Sequence, residues 1–179
     1  MGAIIWRARR NGNELLGRKT MDLPTLYAQC APSVAPQTLA AIVRVESGGN
    51  PWTIGVNGNY VLPRQPSSKT EAVREANRLI GMGYNIDMGV MQINVNNLRR
   101  LNLSVEQVFD PCTNIKSGGQ ILQSFYLKSA KDIGQGQESL KRAISAYNTG
   151  NFRNGFANGY VAKVTQVRSA HVQSSSVVQ

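Results

Sequence analysis

Pro36-Gln37-Thr38-Leu39-Ala40-Ala41-Ile42-Val43-Arg44-Val45-Glu46-Ser47-Gly48-Gly49-Asn50-Pro51 carries a helix and its end. Pro36 suits the first helical position, where its missing N–H costs nothing. Leu39, Ile42 and Val43 recur at helical spacing, and Glu46, seven residues after Leu39, extends the same apolar face. The run from Ser47 to Pro51 then stops the helix. Most helical glutamates are solvated charges. This one shares an apolar face and sits in a last turn, where the helix dipole disfavours negative charge. Burial keeps a carboxyl protonated toward neutral pH, the state a general acid needs in order to protonate a glycosidic oxygen.

Outward from this helix the text stays helical. Upstream, Asp22 is a candidate N-cap, with Pro24 in the first turn and Leu23, Leu26 and Tyr27 as apolar contacts. Downstream, Asn57-Gly58 flanked by Ile54, Val56, Tyr60 and Leu62 predicts a small β-hairpin or irregular lobe over residues 52–63. Ser68 and Glu71 form a capping box for a third helix with Ala72, Val73, Ala76, Leu79 and Ile80 on its core face. Residues 84–97 read as loop and then a short helix, and Ser104 with Gln107 caps another short piece. Asp110-Pro111 opens a long helix through Ile115, Ile121, Leu122 and Phe125. Gly118-Gly119 inside it costs ~1 kcal/mol per glycine, a sign of close helix packing. Residues 138–147 carry Leu140, Ala143, Ile144 and Tyr147 on one face, and a last helix carries Tyr160, Val161, Val164 and Val167. No internal repeat is present. The fold class is mainly α (α+β), with one domain over residues 21–169 and a polar, Ser-rich flexible tail at 170–179.

Composition agrees with one globular domain: 179 residues, 19.5 kDa, 41% hydrophobic and 17% charged. No apolar run reaches the ~20 residues of a membrane span. Twenty Lys and Arg against ten Asp and Glu give +10, which favours a polyanionic partner without choosing among nucleic acid, membrane and acidic glycan. Aromatics at 7%, with no basic run interleaved among them, count against a single-strand nucleic-acid groove. Cys30 and Cys112 are too few for a zinc site, and the lone His171 lies in the polar tail, so no metal is expected. The cysteine count leaves two separate buried thiols and one disulfide equally open. In residues 1–20, Ala3-Ile4-Ile5-Trp6 precedes Arg7, Arg9 and Arg10, the reverse of a secretory signal. That stretch reads as a tail or added remnant, with any native signal removed or replaced.

Two further pieces carry candidate chemistry. In Asp87-Met88-Gly89-Val90-Met91-Gln92-Ile93-Asn94, the apolar residues could simply fill core. The functional alternative gives Gln92 and Asn94 to sugar hydroxyls or acetamides and makes Met91 an apolar wall. In Ala146-Tyr147-Asn148, Tyr147 is a core aromatic or a phenol aimed at Glu46, with Asn148 orienting substrate.

Glu46-Ser47, Gly89 to Asn94 and Ala146 to Asn148, in that order, resemble the three motifs of the lytic transglycosylases. Within that family the chain is most similar to the small enzymes that accompany type IV secretion systems. The narrower match rests on Cys30-Ala31-Pro32-Ser33-Val34-Ala35-Pro36, Val45-Glu46-Ser47-Gly48, Phe109-Asp110-Pro111-Cys112 and Gly150-Asn151-Phe152. The resemblance runs from about Leu23 to Val167. Val90 stands where the family commonly has Leu, and an intact export signal is not visible.

The resemblance implies a lysozyme-like helical domain with a small β-hairpin lobe. It implies cleavage of the β-1,4 bond between N-acetylmuramic acid and N-acetylglucosamine in peptidoglycan, leaving a 1,6-anhydro end. Glu46 would be acid and then base, while Ser47, Met91, Gln92, Asn94, Tyr147 and Asn148 shape the site. No cofactor is implied. Expected partners are glycan strands and type IV secretion components, and the expected location is the periplasm. There Cys30 and Cys112 would pair, closing a loop of 82 residues worth ~4 kcal/mol in the chain-entropy model. Asp87 is ambiguous, because Asp-x-Gly-x-x-Gln-Ile-Asn also resembles the animal-lysozyme segment that holds a second carboxylate. The rivals are a hydrolase using Glu46 and Asp87, a non-catalytic wall-binding assembly module, and a basic nucleic-acid binder, which lacks any recognisable motif.

Overall fold

The computed structural model describes residues 22–175, with side chains as far as 168. The expected tail at 1–20 and the final residues 176–179 lie outside the described residues.

Helix ends form where short polar side chains cap them. Asp22 Oδ1 accepts from Thr25 N at 2.9 Å and starts α1, Leu23–Cys30. Pro36 opens α2, Pro36–Ser47, and Gly48 ends it in the left-handed conformation at φ 63°. Ser68 caps α3, Lys69–Gly81, by accepting from Glu71 N at 3.2 Å. The Glu71 carboxylate does not close the expected box on Ser68. It accepts from Ser67 N and Oγ, both at 2.8 Å, and from Arg64. Two four-residue helices follow, α4 at Leu98–Leu101 and α5 at Val105–Val108, the latter with the full Ser104/Gln107 capping box. Asp110 caps the long α6, Pro111–Ile133. After it come α7, Gln137–Thr149, α8, Asn154–Ala157, and α9, Tyr160–Ser175. The last helix thus continues past Ala170, where the composition suggested a flexible tail.

Of the two alternatives for residues 52–63, the irregular lobe is found and the local hairpin is not. β1, Ile54–Val56, does not fold back on residues 60–62; it pairs antiparallel with β2, Ile86–Met88, and β2 pairs with β3, Ile93–Asn94. The only tight hairpin of the sheet is therefore β2–β3, in a stretch that reads as loop and helix from sequence. The reason is visible at the free edge of β1. Gln65 occupies it, its Oε1 accepting from Ile54 N at 2.8 Å and its Nε2 donating to Ile54 O at 3.0 Å. That side-chain amide takes the backbone groups a Tyr60–Leu62 strand would have used. Tyr60 packs on Tyr84 instead, with ring centroids 5.0 Å apart.

The core lies where α6 meets α7, α1 and α5, with α9 packed across α2. The glycine pair on α6 has the predicted use. A Cβ on Gly119 would stand 2.8 Å from Ala31 Cβ, and one on Gly118 would stand 2.5 Å from Met91 Sδ. Cys30 at the end of α1 and Cys112 at the start of α6 form a disulfide, with Cα atoms 5.4 Å apart. Among the described residues no helix is long and apolar enough to cross a membrane.

Candidate active site

Glu46 stands in the last turn of α2, half-buried, where α9 crosses. Tyr160, the first residue of α9, donates its phenol hydrogen to Glu46 Oε1. Burial raises the Glu46 carboxyl to about 7. The Tyr160 hydrogen bond pulls it down and the negative charge of Asp87 adds to the rise. Near neutral pH the group therefore divides between acid and carboxylate, the poise that acid–base work requires. The same burial, with Glu46 nearby, pushes the Tyr160 phenol well up, so it stays a donor.

Opposite Glu46, residues 88–94 are held by side chains from three directions. Asn114 of α6 is buried at 1% exposure. Its Oδ1 accepts from Met91 N at 2.8 Å, and its Nδ2 donates to Met88 O at 2.9 Å and Val108 O at 2.8 Å. Gly89, at φ 79°, lies so close to this amide that a Cβ would sit 2.2 Å from Asn114 Nδ2. Ser47 Oγ donates to Val90 O at 2.8 Å, tying the loop to the end of the Glu46 helix. Tyr147 of α7 donates to Met91 O at 2.7 Å. Gln92 adopts φ 48° and its Nε2 donates to Gly89 O at 2.9 Å and Thr53 O at 3.1 Å.

Asp87, half-buried on β2, is braced on both oxygens. Asn94 Nδ2 donates to Oδ1 and Asn57 Nδ2 to Oδ2, each at 2.8 Å. Its negative charge acts on both Glu46 and Tyr147, raising each.

The structure brings the expected site residues together but divides their tasks differently. Glu46, Asp87, Asn94, Tyr147 and Asn148 border accessible space; Asn148 is exposed and accepts from Asn158 Nδ2 at 2.9 Å. Met91 is fully buried at 0% exposure, against Gly118, and is no wall for a ligand. The polar hydrogens of Ser47 and Gln92 are spent on backbone carbonyls, so both position the loop. The phenol aimed at Glu46 belongs to Tyr160; Tyr147 is spent on Met91 O. Tyr160 reads as core from sequence because it opens the apolar face Tyr160, Val161, Val164, Val167, and only packing reveals what its hydroxyl meets. Asn114 left a fainter signal, a polar residue one helical turn before Gly118 on the same face. Among the described residues no group of three His, Cys, Asp or Glu is placed to hold a metal ion.

A half-buried glutamate of raised pKa at a helix end, facing a pinned loop that leaves an aspartate-bearing strand, on a helical body with a small sheet, is the arrangement of a glycan-cleaving domain. The chain belongs to the Transglycosylase SLT domain family, whose model matches residues 24–167. It is 45% identical over 159 residues to the Type IV secretion system protein virB1 of Brucella abortus biovar 1, covering 86% of this chain and 66% of that protein. It is 41% identical over 138 residues to Protein virB1 of Agrobacterium fabrum, covering 76% of this chain and 55% of that protein. The chain thus spans just under two thirds of the Brucella relative and about half of the Agrobacterium one.

Proposed function

We propose that this protein is a peptidoglycan lytic transglycosylase that cuts the β-1,4 bond between N-acetylmuramic acid and N-acetylglucosamine. One observation carries the reading: in an SLT-family chain, Glu46 is a half-buried carboxyl whose proton is held to about pH 7. In the first step the Glu46 proton passes to the glycosidic oxygen, the C1–O bond breaks, and its electron pair leaves with the N-acetylglucosamine oxygen. The Glu46 carboxylate then takes the proton of the muramic 6-hydroxyl as that oxygen attacks C1. The 1,6-anhydro ring closes and Glu46 is protonated again. Atoms and charge balance without water, metal or cofactor.

Around this step Tyr160 orients Glu46, and Ser47, Met91, Gln92 and Tyr147 fix the loop. Asn94 and Asn148 meet the sugar, and Asp87 steadies positive charge developing at C1. The names of the relatives support a role in type IV secretion, with this chain opening the wall outside the cytoplasm for the apparatus and its components as partners. The Cys30–Cys112 disulfide supports the same oxidising, periplasmic location. Mass spectrometry of digested sacculi tests the reaction: anhydro-muramic ends are expected, and Glu46→Gln should abolish them. A second reading, a hydrolase with Asp87 as partner carboxylate, is favoured by the action of the Asp87 charge on Glu46. Reducing ends in place of anhydro ends would select it.

A further inference from the structure

Asn158 stands in the turn that leads from α8 into α9, where Gly159 takes φ 80° and sends the chain into the last helix. Its Oδ1 accepts from Tyr160 N at 3.0 Å. That N–H is one of the first-turn donors a helix leaves without an internal partner. Its Nδ2 donates to Asn148 Oδ1 at 2.9 Å, in the last turn of α7. A backbone N–H can only donate, so the first bond fixes which way the Asn158 amide is turned, and the second then fixes the Asn148 amide. The end of Asn148 left to meet a ligand is its Nδ2, a donor suited to a hydroxyl or acetamide oxygen. The turn is also anchored from behind. Gly155 of α8 lies so close to α7 that a Cβ would stand 2.6 Å from Ser145 Cα. Ser145 Oγ accepts from Gly155 N at 2.9 Å and donates to Asn151 O at 2.7 Å.

Two bonds of one side chain thus reach both sides of the reaction. Tyr160 opens α9 and gives its phenol hydrogen to Glu46, so where the helix starts decides where the phenol lies. The ionisable groups that act on Glu46 are Tyr160 of α9, Asp87 of β2 and Tyr147 of α7, and of these it is Tyr160 that Asn158 holds. We propose that Asn158 is a positioning residue, which seats Tyr160 against Glu46 with its oxygen and sets Asn148 for the sugar with its nitrogen. The half that concerns the sugar rests on the lytic reading above. Asn158 touches neither the acid nor the substrate; it makes the placing of one depend on the placing of the other.

The test uses Asn158→Ala, which removes both bonds, and Asn158→Ser, whose short hydroxyl still accepts from an N–H two residues on but cannot reach Asn148. The position is exposed, so neither change opens a cavity. Two measurements that need no turnover separate the bonds. The first is the titration midpoint of the Glu46 carboxyl carbon by NMR, near 7 in the parent. It should rise by about half a pH unit in Asn158→Ala, because a loosened Tyr160 favours the carboxylate less. It should stay at the parental value in Asn158→Ser, and Asn158→Ala should add nothing to Tyr160→Phe. The second is the Kd of a soluble peptidoglycan glycan strand, measured in a Glu46→Gln background that does not cut it. Kd should rise about threefold with either Asn158 variant and not at all when Asn148→Ala is already present. An unmoved midpoint in Asn158→Ala, an equal rise in Asn158→Ser, or a further rise on top of Tyr160→Phe overturns the proposal. So does a Kd that neither variant changes. The lytic reading is judged apart from these, by the anhydro-muramic ends the parent leaves on sacculi. A Glu46→Gln protein that binds no strand, with a parent that leaves no such ends, overturns both.

Discussion

At Glu46, burial and the Asp87 charge favour the proton, and the Tyr160 phenol favours the carboxylate. Each can be removed with an opposite effect on the alkaline limb of the pH–kcat/KM profile, which should fall near pH 7 in the parent. Tyr160→Phe deletes a hydrogen bond to the charged form, so the limb should move to higher pH. Asp87→Asn deletes a repelling charge, so it should move to lower pH. Glu46→Gln should cost at least ~100-fold in activity, and Asp87→Asn clearly less, because the muramic 6-hydroxyl makes a second carboxylate optional. Stability should respond as well. The unfolded chain loses the Glu46 proton near 4.5, while the folded protein keeps it to about 7. Glu46 therefore supports the fold fully below about 4.5, and that support is lost as pH rises through about 7. Glu46→Gln, neutral throughout, should gain on the parent between pH 5 and pH 8 by on the order of 2 kcal/mol, read as the difference in melting temperature at the two pH values.

Among the elements, the loop between β2 and β3 depends most on a single residue. Asn114→Ala strands one N–H and two carbonyls in the core, which should cost ~3 kcal/mol and lower the melting temperature by roughly 10 °C. A calorimetric scan of the purified variant checks it. Helices were legible in the sequence where caps and apolar spacing act locally, as with Asp22, Pro36, Ser104 and Asp110. The sheet was not, because Asn57-Gly58 advertises a local turn while β1 finds its partner 34 residues on, at Ile54 opposite Met88. Nothing in the neighbourhood of residue 54 reveals that Gln65 will occupy the edge. The candidate site divides the same way. Glu46 was legible from its place on an apolar face, whereas Tyr160 depends on how α9 crosses α2, a matter of packing across 114 residues.

Across the whole molecule, the Cys30–Cys112 bond fastens α1 to the central α6, beside the close contact of Gly119 with Ala31. Reduction should lower stability by up to ~4 kcal/mol, measured as denaturant midpoints with and without a reductant, and unreduced protein should show no free thiol. The Glu46–Tyr160 contact bears on the order in which the site is assembled. A chain made or threaded from its amino end presents the carboxyl 114 residues ahead of the phenol that seats it. Until the last helix arrives, the acid has neither its partner nor its shelter, and without shelter its proton is lost well below neutral pH. If Glu46 is the acid proposed above, cutting power is switched on by completion: a nascent or interrupted chain carries the glutamate without the partner that seats it.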